Sequence, residues 1–320
     1  TSTCVGCGEC VQACPTGALM PSKEVGQVTP DKKVDSVCPY CGVGCLLTYN
    51  IKNDKILYAE GRDGPANMSR LCVKGRYGFN YVNSDQRLAV PLARKKGVSK
   101  DIKPEDFDLD NIEKYFEPIS WDDAIKKTTQ KFKSLILEDV KSTAGFGCAK
   151  GSNEEAYLFQ KLVRTGFKNN NVDHCTRLCH ASSVVALLEM IGSGAVSNQV
   201  ADVAEADSII VIGANPTVNH PVAATFIKNA AKAGKNLIVL DPRKNDLARH
   251  ATHYLQFKPD TDVALLNAMM KSIIDQNLID EKFIKDRTTD FDDLKNHLKD
   301  FEPEKMASIC GIDSSVIDEV

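Results

Sequence analysis

Two stretches decide the fold: Ser208-Ile209-Ile210-Val211-Ile212-Gly213-Ala214-Asn215-Pro216 and Leu237-Ile238-Val239-Leu240-Asp241-Pro242-Arg243. Each is a short β-branched, apolar run that stops at turn-forming residues, which is how a strand buried on both faces reads. Between them, Val218 to Ala233 has the 3.6-residue periodicity of a helix, and Tyr254 to Phe257 supplies a third apolar run. Strand, helix, strand at this spacing predicts a right-handed βαβ unit on a parallel sheet, hence an α/β, doubly wound fold. Ligands of such sheets bind at the carboxyl ends of strands, where an acid ending the second strand typically accepts hydrogen bonds from ribose hydroxyls. Asp241 occupies that place, with Arg243 beside it to meet a phosphate and Gly213 and Asn215 ending the first strand. The glycine fingerprint of nicotinamide sites is missing, so a different nucleotide-bearing ligand is expected; a plain Asp-Pro turn is the alternative.

Upstream of this unit, Ser120 is placed to cap a helix from about Trp121 to Val140, and Ser152 with Glu155 forms a capping box for a second helix. Gly145-Phe146-Gly147 between them reads as a turn. Lys95 to Pro118, rich in Asp and Glu, reads as a solvated loop or linker. At the far end, Ser315 and Asp318 are spaced as a helix start. With neither an initiator Met nor a signal peptide at the front, the sequence reads as an interior stretch of a longer polypeptide.

The 40 basic and 43 acidic side chains leave a formal net charge of −3, which gives nucleic acid no global basic surface to bind. The longest apolar run, around Ile209 to Ile212, falls far short of the roughly 18 residues of a membrane span. Cysteine is what departs from average: of twelve, eight lie between Cys4 and Cys72.

Cys4-x2-Cys7-x2-Cys10-x3-Cys14-Pro15 has the bacterial ferredoxin spacing, in which three thiolates hold one cubane and the fourth reaches to a second. Gly6 and Gly8 let the loop curl. Cys38-x2-Cys41-x3-Cys45-x26-Cys72 is a second four-thiolate set, flanking a predicted hairpin from Leu46 to Gly61 that turns at Asn53-Asp54. Its spacing admits either a cubane or zinc; nearness to the first set favours iron–sulfur, since a redox centre works beside another one. Cys148 and Cys310 read as incidental thiols. Within Asn171 to His180, Cys175, Cys179 and His180 admit a zinc site, a reactive thiolate with an acid–base histidine, or an inert role. Adjacent residues do not share a helix face, so Cys179 and His180 serve one centre only from a loop or a helix start.

In this order the parts resemble the catalytic subunits of molybdenum or tungsten oxidoreductases that carry two molybdopterin guanine dinucleotides, most of all formate dehydrogenases. The resemblance rests on Arg70-Leu71-Cys72-Val73-Lys74-Gly75-Arg76, on the NVD-x-C-x-R-x-C-H segment ending at His180, on Gly213-Ala214-Asn215-Pro216 with His220-Pro221, and on Asp241-Pro242-Arg243-Lys244. It implies that Cys179 ligates molybdenum or tungsten beside the pterin dithiolenes. His180 would steer the proton or hydride of formate, and Lys74 would lie on the electron path between the Cys38 to Cys72 [4Fe-4S] cluster and a pterin. Gly213, Asn215, Asp241 and Arg243 would contact a guanine dinucleotide.

The implied activity is reversible oxidation of formate to carbon dioxide, with electrons leaving through the clusters to flavin, iron–sulfur or hydrogenase-type subunits in the cytoplasm. Four segments follow: a ferredoxin-type half domain over 1–34, a [4Fe-4S] domain over 35–92, the first part of an α/β pterin-binding domain over 93–173 with its acidic insertion at 95–118, and an α/β domain over 174–320. A nitrate reductase of the same superfamily is one alternative, disfavoured by His180 after the ligand. A non-catalytic scaffold like the large iron–sulfur subunit of respiratory NADH dehydrogenase is the other; such a wire needs none of Cys179-His180, Lys74 or Asp241-Pro242-Arg243.

Overall fold

A computed structural model describes residues 4–20, 29–195 and 198–320, so part of the expected 1–34 segment, residues 1–3 and 21–28, lies outside it. The chain forms two compact units, one of residues 1–78 with 198–320 and one of residues 79–197. Among the described residues no helix is long and apolar enough to cross a membrane.

In the first unit the predicted βαβ is present. Ser208–Ile212, Asn236–Leu240 and His253–Leu255 form a parallel sheet with Asn236–Leu240 in the middle. Alternate residues of that central strand feed two separate cores. Leu237 and Val239 pack with Ile209, Ala230 and Leu247 on one face, while Ile238 and Leu240 pack with Leu255, Leu265 and Met306 on the other. Burial on both faces is what makes the sheet doubly wound. The helix Pro221–Lys232 supplies Ala230 to the first core, and the helices Asp262–Asp275 and Pro303–Cys310 supply Leu265 and Met306 to the second.

The helix expected over Val218 to Ala233 is broken into Pro216–Asn219 and Pro221–Lys232. His220 sits between them at φ −140° and ψ 61° because the ring of Pro221 keeps its predecessor out of the helical region. The third strand begins at His253, one residue earlier than expected, and ends before Phe257. At the C terminus the expected Ser315–Asp318 cap is not formed: the helix is Ser314–Glu319, and Asp318 instead accepts a hydrogen bond from Ser272 Oγ at 2.5 Å.

The same unit holds an antiparallel sheet of Lys32–Val37, Leu46–Lys52 and Lys55–Gly61, then the short helix Val73–Tyr77. Asn53 and Asp54 form the hairpin turn with φ of 49° and 57°, the left-handed pair a two-residue turn needs. This domain packs on the sheet's helix, with Leu47, Leu71, Cys38 and Cys45 in one core with Val222.

In the second unit, Gly145–Gly147 pairs in parallel with Val172–His174. The Gly-Phe-Gly segment is therefore a strand rather than a turn. Gly145 is required for close packing: a Cβ there would come within 2.6 Å of Val163 and 3.0 Å of Phe159. Trp121–Glu138 is a helix, capped by Ser120 Oγ, which accepts from the Asp123 amide at 3.1 Å, and Asn153–Lys161 opens on the expected Ser152–Glu155 capping box. Residues 95–118 are no open linker. Leu92–Arg94 pairs with Phe116–Pro118, and Phe107 stacks on Tyr115 at 4.5 Å, so the excursion has its own small core beneath its acidic surface.

Candidate functional site

The first unit carries both cysteine sets, Lys74 and the strand-end residues; Cys179 and His180 belong to the second. In the ferredoxin-type loop, Gly6 and Gly8 take φ of 64° and 74°, and the Gly6 amide donates to Cys4 Sγ at 3.4 Å. This turn is open to glycine and aims an N–H at a thiolate. Hydrogen bonds from the Thr16 hydroxyl, then the amides of Leu19 and Thr16, hold the Cys14 thiol down at about 7, poised to act as a thiolate.

Cys38, Cys41 and Cys45 lie in the loop that joins Lys32–Val37 to Leu46–Lys52, and Cys72 caps the helix Val73–Tyr77. Cys38 N–H donates to the Cys45 carbonyl at 2.9 Å, closing the loop. Burial, then the mutual repulsion of Cys38, Cys41 and Cys72, pushes Cys45 up to about 12; burial, with Cys72 and Cys41 beside it, raises Cys38 too. Four thiolates so crowded are stable together only around a positive centre. A cubane, which spreads four thiolates around an iron–sulfur cube, fits this set.

Lys74 follows Cys72 by two residues and extends over the Tyr40 ring, with its ammonium 5.6 Å from the ring centre. Gly75 lets this helix approach the cluster loop: a Cβ there would lie 3.6 Å from Cys38 Sγ and 3.2 Å from Leu71. Asn67, fully buried, was invisible in the sequence. Its Oδ1 accepts from the Leu46 amide at 3.0 Å and its Nδ2 donates to the carbonyls of Leu46, Arg62 and Arg70, which ties the loop leading to Cys72 against the strand that follows Cys45.

At the parallel sheet, Gly213 leaves the first strand at φ 58°. Asp241 Oδ1 accepts from the Arg243 amide at 2.7 Å, and Asn245 Nδ2 donates both to Asp241 Oδ2 at 3.2 Å and to the Ala214 carbonyl at 3.3 Å. Asn245 thus pins the two strand ends together, a role with no local sequence signal. The acid ends its strand as expected and is oriented by its own turn, and Asn215 Oδ1 accepts from the Thr217 hydroxyl at 2.6 Å.

In the second unit the strand Val172–His174 leads into the turn Cys175–Leu178, then Cys179 and His180, then the helix Ala181–Ile191. Both side chains are exposed, and His180 is the N-cap residue, so the pair stands at a helix start, the placement adjacency requires. His174 shapes the turn itself, with its Nδ1 accepting from the Thr176 amide at 3.1 Å. A cavity of about 560 Å³ lies over the ends of the two parallel strands, lined by Phe146, Cys148, Glu155, Phe159, Arg164 and His174. Arg164 brings a cation there that the sequence did not single out; Cys179 and His180 do not line the cavity.

An iron–sulfur front followed by strand-end ligand sites defines a redox protein built on a dinucleotide-type sheet. Comparison with known families gives the class: residues 1–20 match a 4Fe-4S binding domain, residues 31–84 the molybdopterin oxidoreductase Fe4S4 domain, and residues 87–313 molybdopterin oxidoreductase. The chain belongs to the molybdopterin oxidoreductase family. Its cofactors are accordingly [4Fe-4S] clusters and molybdenum or tungsten on pterin. It is 37% identical over 90% of its length to the F420-dependent formate dehydrogenase subunit alpha of Methanocaldococcus jannaschii, and 35% identical over 89% to formate dehydrogenase H of Escherichia coli. It spans about 40% of the length of these relatives. In fold it resembles acetylene hydratase from Pelobacter acetylenicus, with a TM-score of 0.76 at 23% identity over 90% of this chain and 38% of that one.

Proposed function

We propose that this chain is part of the catalytic subunit of a formate dehydrogenase, in which formate yields carbon dioxide, one proton and two electrons, reversibly. The observation that carries the reading is the exposed Cys179-His180 pair, held between the carboxyl end of a parallel strand and a helix start. The names of the two relatives agree with it.

When bound, molybdenum or tungsten on two molybdopterin guanine dinucleotides supplies the two-electron redox couple. Cys179 is a soft thiolate donor for such a metal, standing just before the start of the following helix. His180 presents an imidazole next to that donor, able to hold the proton that formate loses. Asp241, Arg243, Gly213 and Asn215 would hold a guanine dinucleotide, the carboxylate being suited to ribose hydroxyls and the guanidinium to phosphate. Cys38, Cys41, Cys45 and Cys72 would hold one cluster, with Lys74 beside it, and Cys4, Cys7, Cys10 and Cys14 would serve the ferredoxin-type cluster sites; such clusters supply one-electron transfer. Segments 1–34, 35–92, 93–173 and 174–320 divide these roles among them. Flavin, iron–sulfur or hydrogenase-type subunits in the cytoplasm take the electrons.

The test is Cys179→Ala in the full-length enzyme. Formate-dependent dye reduction should vanish while the iron content and the cluster spectra stay as in the parent. Retained turnover would contradict the assignment.

A further inference from the structure

Arg76 has no part in the roles above, yet it is the most tightly engaged charged side chain of the iron–sulfur front. It is 4% exposed, and every nitrogen of its guanidinium is spoken for. Nε donates to the Cys7 carbonyl at 2.8 Å, Nη1 to Gln12 Oε1 at 2.7 Å and Nη2 to Glu9 Oε1 at 2.5 Å. All three acceptors belong to the ferredoxin-type segment, on its cysteine loop and the helix Glu9–Ala13. That helix is fastened from its own side as well. Glu9 Oε1 also accepts from the Leu71 amide at 2.8 Å, and Gln12 exchanges hydrogen bonds with both polar backbone groups of Gly61, at 2.8 and 3.0 Å. The approach is as close as the chain permits: at Gly8 a Cβ would lie 2.3 Å from Tyr77 Oη and 2.4 Å from Arg76 Cδ.

The position of Arg76 in its own helix matters equally. Its amide donates to the Cys72 carbonyl at 3.1 Å, while its Nε reaches the carbonyl of Cys7. One residue thus links the backbone of a cysteine in the Cys38 to Cys72 set to the backbone of a cysteine in the Cys4 to Cys14 set, through two hydrogen bonds and its own side chain. A rigid, planar fork that makes several charge-assisted bonds at once fixes orientation as well as distance, which a lysine cannot do.

We infer that Arg76 is the positioning residue for electron exchange between the two cluster sites, the latch that sets their separation and supplies a hydrogen-bonded path across it. In each hop one electron leaves a reduced cluster at Cys38 to Cys72 and reduces an oxidised one in the Cys4 to Cys14 run; no bond is made and no proton moves. The inference rests on reading both cysteine sets as cluster ligands, and it does not need formate to be the substrate.

The test uses full-length, cluster-loaded protein reduced by dithionite, so that a failure of the formate reading shows separately as absent formate activity in the unaltered protein. In Arg76→Ala with unchanged iron content, the magnetic interaction between the reduced clusters should weaken, and the hop after flash photoreduction should slow by about tenfold or more, as loss of alignment between two reacting partners does. Arg76→Lys, which keeps charge and stem but not the fork, should fall between. An undiminished interaction and an unchanged hop in Arg76→Ala would overturn the inference. Should that variant fail to hold iron, Arg76→Lys decides: a weakened interaction supports the latch, and parental values refute it.

Discussion

Asn67 shows how much of the site depends on single polar residues. Its one side chain ties the backbone of Leu46, Arg62 and Arg70 in a fully buried place, and removing it leaves those groups without partners. Asn67→Ala should destabilise the cluster domain by about 1 to 3 kcal/mol, the usual cost of orphaning buried polar groups. Denaturant unfolding of the cluster-loaded protein, with iron assayed alongside, checks this: parental stability and iron content would show that the loop is held by other means. The cysteine sets stand out in the sequence because, Cys72 aside, their members are separated by only two or three residues within one loop. Arg76, Asn67 and Asn245 do not, because each acts through at least one partner from another part of the chain, 21 positions away for Asn67, 31 for Asn245 and 64 to 69 for Arg76. A composition or a motif carries no record of such pairings.

Among elements, the hairpin between the second and third strands of the cluster domain was read down to its turn. Asn53 and Asp54 both sit at positive φ, a region that costs most L-residues about 1 kcal/mol or more and glycine almost nothing. Asp54→Gly should therefore stabilise the hairpin by about 0.5 to 1 kcal/mol, and a rise in the denaturation midpoint is the readout. The turn Asp246–His250 carries a pH dependence. Burial, with Arg249, Lys228 and Lys232 nearby, holds the His250 imidazole below its ordinary 6.5, and Arg249 Nε donates to its Nε2 at 3.3 Å, so the folded state keeps the ring neutral. The unfolded chain binds the proton first as pH falls. This contribution is fully present above about 6.5 and is lost on acidification through and below it, with the sign set by proton uptake in the unfolded state. Thermal melts between about pH 7.5 and 5.5 should show the midpoint falling with acid, and His250→Asn should flatten that fall. Two elements misread from sequence share a cause. Gly145-Phe146-Gly147 resembles a turn by composition yet serves as a strand because Phe159 and Val163 leave no room for a Cβ, and the acidic run of 95–118 conceals the Phe107–Tyr115 stack that folds it.

At the scale of the molecule, the parallel sheet was legible because its central strand is buried on both faces and Leu237 to Leu240 is therefore an unbroken apolar run. The split into two compact units was not, since it joins residues 1–78 to 198–320 across a hundred intervening positions. The second unit exposes large apolar side chains to a degree the first does not, with Leu178 96% accessible, Leu137 88%, Met190 82% and Phe146 81%. The proposal that matters most is that this chain is part of a formate-oxidising molybdenum or tungsten enzyme. Elemental analysis of the full-length, anaerobically purified protein, combined with formate-dependent dye reduction on the same sample, tests it most directly. The account predicts molybdenum or tungsten together with iron, and dye reduced by formate. Iron without either metal, and no response to formate, would contradict it and leave an electron-transfer scaffold.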